Sequence, residues 1–260
     1  MFWPRITYIE FWRFFRTLSR YPLELLGGVL AASVVFSLFF LGVHYLAGPA
    51  LFGERLEALI VSLISWSLAF SLLSYTASTL TQESLAGLLE QLALTRPGLL
   101  GIVLVRAVLS LFQISLLIVP VVLAILLTSG ARLELNSAAF LPLGALALSS
   151  LGLGLILGGL VLVYKRVDQL MGLLQFLLLG IFLVRFESLA WPWNILGYCL
   201  PLTPSVMTLR LLLGEGSVDV DGQFLFLLNW INTAVYLSFG VMFFKSALRK
   251  ARKLGTLGIY

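Results

Sequence analysis

Residues 99–128 read LLGIVLVRAVLSLFQISLLIVPVVLAILLT, and Arg106 is the one charged side chain in the run. About 20 predominantly apolar residues suffice for a helix to cross roughly 30 Å of hydrocarbon. This run exceeds that length, and its apolar residues surround the helix axis instead of lining one stripe. It therefore reads as a membrane span, not a surface helix. It is long enough to tilt, or to break at Pro120. Five further runs share its character: 23–46, 56–80, 140–164, the short 170–184, and 224–244. Six spans are expected.

The composition agrees. Of 260 residues, 60% are hydrophobic and 11% charged, with a mean hydropathy of +1.04. Soluble domains are roughly 45–50% apolar and about 25% charged. A water-exposed globule, a disordered chain and a disulfide-stapled secreted domain are excluded together. The single cysteine, Cys199, makes no internal disulfide. The first 22 residues carry charges throughout and lack the apolar centre and small-residue cleavage site of a signal peptide.

The net charge of +5 is unevenly placed. Arg5, Arg13, Arg16 and Arg20 precede the first run, and Arg96 lies between the second and third. Lys165 and Arg166 lie between the fourth and fifth, and Lys245, Arg249, Lys250, Arg252 and Lys253 follow the sixth. With six spans all these fall on one side. On the other, Arg55, Arg132, Arg185 and Arg210 are mixed with Glu54, Glu134, Glu187, Glu215, Asp219 and Asp221. The Lys/Arg bias places both termini in the cytoplasm of a cell (inner) membrane protein.

Three segments are neither spans nor simple loops. Residues 1–22 form an aromatic amphipathic helix: Phe11, Phe14, Phe15 and Leu18 share one face, and Arg13, Arg16 and Arg20 the opposite one. That pattern suits a helix lying in the interface, as a topological anchor or a mechanical element. Pro22 then bends the chain into the first span. Residues 81–98 begin TQESLAGLLEQLALTRP, with Thr81 as candidate N-cap and Glu83 in the first turn. Leu85, Leu88, Leu89 and Leu92 follow at helical spacing, interleaved with Glu90 and Gln91. The segment reads as a cytoplasmic amphipathic helix, resting on the membrane or docking a partner protein. In residues 185–223, Pro192, Pro201 and Pro204 interrupt apolar stretches too short to cross, which read as outer re-entrant or interfacial helices. Trp191 and Trp193 suit the headgroup level.

Groups for chemistry are sparse. His44 is the one histidine and stands far from Cys199, so no metal site is expected. No carboxylate lies near the middle of a span, which speaks against proton coupling. The sequence has no phosphate-binding loop of the G-x-x-x-x-G-K-[ST] type. Arg106, about two turns inside its span, is expected to snorkel or to pair with a carboxylate. Ser67, Ser71, Ser74 and Ser78 form a stripe beside Tyr75, and Gly154 and Gly158 make a G-x-x-x-G. Helix packing is the expected use of both. Gln113, Gln175, Asn229 and Asn232 either face a substrate route or hold helices together.

This layout resembles the type-2 ATP-binding-cassette exporter permeases over essentially the whole chain. The resemblance is carried by Glu83 followed by Leu88, Leu89, Glu90, Gln91, Leu92, Leu94, Thr95 and Pro97, and by Leu200-Pro201-Leu202-Thr203-Pro204 with Arg210 after it. Of the family's usual glutamate-arginine-glutamate start, Glu83 alone remains, and Leu85-Ala86-Gly87 loosens the spacing. The resemblance implies an all-α permease domain: interface helix 1–22, spans 1–2 in 23–80, coupling helix in 81–98, spans 3–5 in 99–184, outer re-entrant segment 185–223, span 6 at 224–244 and basic tail 245–260. Two permease copies, identical or related, would pair. Two separate ATPase subunits, carrying ATP and Mg, would dock on Glu83, Leu88, Glu90, Gln91 and Leu92. The chain itself would bind no cofactor and catalyse nothing. Its interface helix would carry the ATP-driven movement to the first span. Membrane lipid is an expected partner and nucleic acid is not. The nearly uncharged span interiors favour a lipidic, lipid-linked glycan or other amphiphilic cargo. A membrane assembly scaffold and an intramembrane lipid-modifying enzyme are the alternative classes.

Overall fold

The computed structural model describes residues 3–23, 26–31, 33–34, 37–38, 54–129, 137–165, 167–213 and 222–255. Among these residues there are helices and connecting turns and no strand. The helices are α1 (Trp3–Arg20), α2 (Glu54–Leu85), α3 (Leu89–Ala93), α4 (Gly98–Ser129), α5 (Phe140–Tyr164), α6 (Asp168–Leu183), α7 (Trp193–Cys199), α8 (Thr203–Leu213) and α9 (Gly222–Lys253).

Four of them, α2, α4, α5 and α9, are long and apolar enough to cross a membrane, and the bent α7–α8 pair makes five if counted as one span. The architecture is that of a multi-pass membrane protein. The expected span at 23–46 falls largely outside the described residues, as does His44. The described positions of 22–38 are helical, after a break at Tyr21. The expected spans at 56–80, 99–128 and 140–164 match α2, α4 and α5. Helix α4 runs unbroken through Pro120, so the chain does not break there.

Helix α5 is the centre of the bundle, with 67% of its apolar window buried. It lies between α2 and α9, and its glycines permit the close approach. A Cβ at Gly152 would stand 2.6 Å from the Tyr236 carbonyl oxygen, and Gly240 of α9 faces the Gly152 backbone in return. On the α2 side a Cβ at Gly154 would come within 3.0 Å of Thr76 Oγ1, and one at Gly158 within 2.6 Å of Leu80 Cδ1. The G-x-x-x-G expected to pack does so, against α2.

The short helices need polar support. Helix α6 has 16 residues, about 24 Å of rise, less than the roughly 30 Å of hydrocarbon. Its last carbonyls find a side-chain donor from a neighbouring helix. Arg210 of α8, itself buried, donates to the Phe182 and Val184 carbonyls and to Ser62 Oγ, the Nη2–Oγ distance being 2.8 Å. Helices α7 and α8 meet at a bend of 102°, with Leu202 at φ 69° and wholly buried. The backbone groups freed at the bend are satisfied from α9. Asn232 Nδ2 donates to the Tyr198 and Leu200 carbonyls at 3.3 and 3.2 Å, and Tyr236 donates to the Cys199 carbonyl at 3.0 Å.

Candidate coupling region

The turn after α2 is built by one glycine. Gly87, at φ 68°, stops the helix: its N–H donates to the Ser84 carbonyl at 3.1 Å and the Leu88 N–H to the Glu83 carbonyl at 2.9 Å. This paired arrangement favours glycine because the left-handed conformation carries no Cβ penalty there. The expected helix start at Thr81 is corrected. Thr81 lies inside α2 and donates to the Ala77 carbonyl at 3.0 Å, so the separate amphipathic helix is the five-residue α3 alone.

Glu83 thereby belongs to the end of a span and not to the surface helix. It is buried, and its carboxylate receives a hydrogen bond from Arg106 Nη1 of α4. Arg106 Nη2 also pairs with Glu10 Oε1 of α1 at 3.0 Å. The carboxylate partner expected for Arg106 is present twice, from two different elements. The second oxygen of Glu83 is buried without a partner among the described residues.

Helix α3 sits beside this cluster. Leu89 is wholly buried and plugs the helix onto the bundle, whereas Leu88, Glu90 and Gln91 are exposed and Leu92 half-buried. Arg252, from the last turn of α9, donates to the Ala93 carbonyl at 3.4 Å. Lys165, just past α5, donates to Ser84 Oγ at 2.9 Å. Partial burial pushes its ammonium below the usual lysine range. Residues from α1, α2, α4, α5 and α9 thus converge on one end of the bundle, around α3.

Helix α1 presents Tyr8, Ile9, Phe11, Trp12 and Phe15 outward. Arg13, Arg16 and Arg20 are exposed, with the Arg16 guanidinium 4.8 Å from the Trp12 ring centre. Phe15 leans on Phe112 of α4 at 5.8 Å between centroids. The side chain of Phe14 lies outside the described residues.

The polar residues of the spans separate into two groups. Asn229 and Asn232 are buried structural links: Asn229 Oδ1 accepts from Ser205 Oγ at 2.6 Å, and Asn232 holds the α7–α8 bend. Ser67, Ser71 and Ser74 are half-buried on the side of α2 away from its fully buried Leu72–Leu73 face, with Tyr75 near them. The hydroxyl oxygen of Ser74 is buried without a partner among the described residues. Gln113 is half-buried on α4, and Gln175 contributes its carbonyl to the Trp66 indole N–H at 3.0 Å. None of these residues lines the cavity at Ser62, Leu183 and Arg210 or the one at Leu160, Tyr164 and Asp168.

Two residues with structural consequences carried weak sequence signals. Glu10 is the one carboxylate in α1, which marks it. Arg210 is a charge inside a short apolar helix, which marks it as a probe for carbonyls. No protein-family model matches the chain, and no curated protein matches it.

Proposed function

We propose that the chain is the membrane-spanning subunit of an ATP-driven exporter of the type-2 permease kind. The observation that carries this reading is α3: a short helix whose exposed Leu88, Glu90 and Gln91 face outward while Leu89 and Arg252 fix it to the bundle. A helix held by a span end and by α9, and linked through Glu83 and Arg106 to α1, is suited to pass force from a motor subunit into several helices at once. Glu83 enters this reading as the residue that holds the base of the coupling element, and Glu90, Gln91 and Leu88 as its contact surface.

Six spans follow when 23–46 and α6 are counted with α2, α4, α5 and α9, and the α7–α8 pair is a re-entrant hairpin at the far end. Both termini then lie on the cytoplasmic side of the cell membrane, with α1 in the interface. Two copies pair around the path, and two ATPase subunits bind ATP and Mg beneath them. The cargo is lipidic, lipid-linked or otherwise amphiphilic, since span interiors poor in charge offer little to a small ion.

The test starts from the tagged chain purified from its native membranes. Vanadate-sensitive ATP hydrolysis is expected to co-purify with it and to be lost from the E90K/Q91K variant, while yield and thermal unfolding of the variant chain stay unchanged. No ATPase activity with the wild-type chain, or full activity with the variant, would sink the reading.

A further inference from the structure

Helix α9 has 32 residues, about 48 Å of rise, so roughly 18 Å extends past a 30 Å hydrocarbon layer. Its apolar length ends near Phe244, and the helix continues to Lys253 without a break. The apolar length leaves a single face exposed: Leu227, Ile231, Val235, Phe239 and Met242 are all more than half accessible. At about 100° per residue, Lys245, Arg249 and Lys253 fall on the same azimuth as Leu227, Ile231 and Val235, and Lys250 lies beside them, next to Phe239. All four cations are exposed, and none forms an ion pair with a described residue. The opposite side of this extension is occupied, with Ala247 and Ala251 buried, and Arg252, at the edge of the exposed face, reaches the Ala93 carbonyl.

One continuous face therefore changes from apolar to cationic at the level where a bilayer changes from acyl chains to headgroups. We propose that this face of α9 is a binding surface for anionic phospholipid, with Lys245, Arg249, Lys250 and Lys253 gathering phosphate headgroups while the leucine, isoleucine, valine and methionine side chains above meet their acyl chains. Charge selects this occupant. A second copy laid against the same face would bring two cationic stripes together, and like charges at that spacing repel within a Debye length. The proposal is independent of the energy source and of the cargo.

The test uses the whole chain in mild detergent with equimolar phosphatidylglycerol and phosphatidylcholine, read by native mass spectrometry. The wild type is expected to retain phosphatidylglycerol preferentially, at about fivefold per cation. The K245Q/R249Q/K250Q/K253Q variant is expected to lose at least about tenfold of that preference. Its unfolding temperature in phosphatidylcholine nanodiscs should match the wild type. High salt, near 1 M, where the Debye length is about 3 Å, should reduce the wild-type preference in the same way and needs no variant to fold. Retained preference in the variant, or in high salt, overturns the proposal. So does a cross-link between two copies through V235C, made in a C199S background, which would show a second chain on this face.

Discussion

An arginine two turns inside an apolar helix keeps its charge because carboxylates reach it from two sides, Glu83 from α2 and Glu10 from α1. Taking two charges out of water costs as much as their attraction returns, so such a cluster adds little net stability. Removing one member leaves an unpaired buried charge and is costly. Arg106→Met is expected to destabilise the chain by about 3 kcal/mol, seen as a lower unfolding temperature in detergent. The double variant R106M/E83Q should lose less than the two single losses added, by more than about 0.5 kcal/mol. Strict additivity would show that the pair is not coupled. The need of Arg106 for a carboxylate was legible from its position in the run. The identity of the partners was not: Glu10 lies 96 residues away, and helical spacing reports a face, not what lies against it. For the same reason Glu83 read as a contact residue although its carboxylate turns inward.

At the scale of elements, small residues set how near the helices come. Gly152 and Gly240 meet backbone to backbone, with no flexible side chain to yield. Gly152→Ala or Gly240→Ala is expected to cost about 1–3 kcal/mol by forcing α5 and α9 apart. Gly144 and Gly172 have open space where a Cβ would stand. Alanine there should be neutral or stabilising by up to about 1 kcal/mol, from helix propensity alone. Thermal unfolding of the four variants checks this, and equal effects at all four would refute the packing assignment. The G-x-x-x-G at Gly154 and Gly158 was visible in the sequence. The partner of the flanking Gly152, Gly240 on α9, was not, because a close approach involves two helices and either sequence by itself shows one half. The boundary between α2 and α3 is similar: Thr81 offered a plausible cap, yet α2 continues to Leu85 because its buried face continues, through Leu80, Glu83 and Ser84. Gly87 is the first residue that lets the chain turn.

For the whole molecule, the two ends of the bundle differ in what they gather. One end holds α3, Lys165 and the cationic end of α9; the other holds the α6 terminus, Arg210 and α7. With Cys199 replaced by serine, a membrane-impermeant maleimide is expected to label W193C in intact cells and E90C only after permeabilisation. Both residues are exposed on the chain itself, so with the chain expressed without its motor subunit the membrane is the barrier that separates them. Labelling of both in intact cells would exclude a topology with α3 inside.

The sequence by itself determined that the chain lives in a bilayer, where the long apolar helices run, and which end carries the positive charge. Those properties depend on local hydrophobicity summed over about 20 residues, and lipid asks nothing more of a span. The tertiary structure decided which polar groups satisfy one another: Arg106 with Glu83 and Glu10, Arg210 with the carbonyls of α6, and Asn232 and Tyr236 with the α7–α8 bend. In a medium without water a buried polar group left without a protein partner is costly. Which partner it finds depends on how distant helices lie side by side, and no periodicity within one segment contains that.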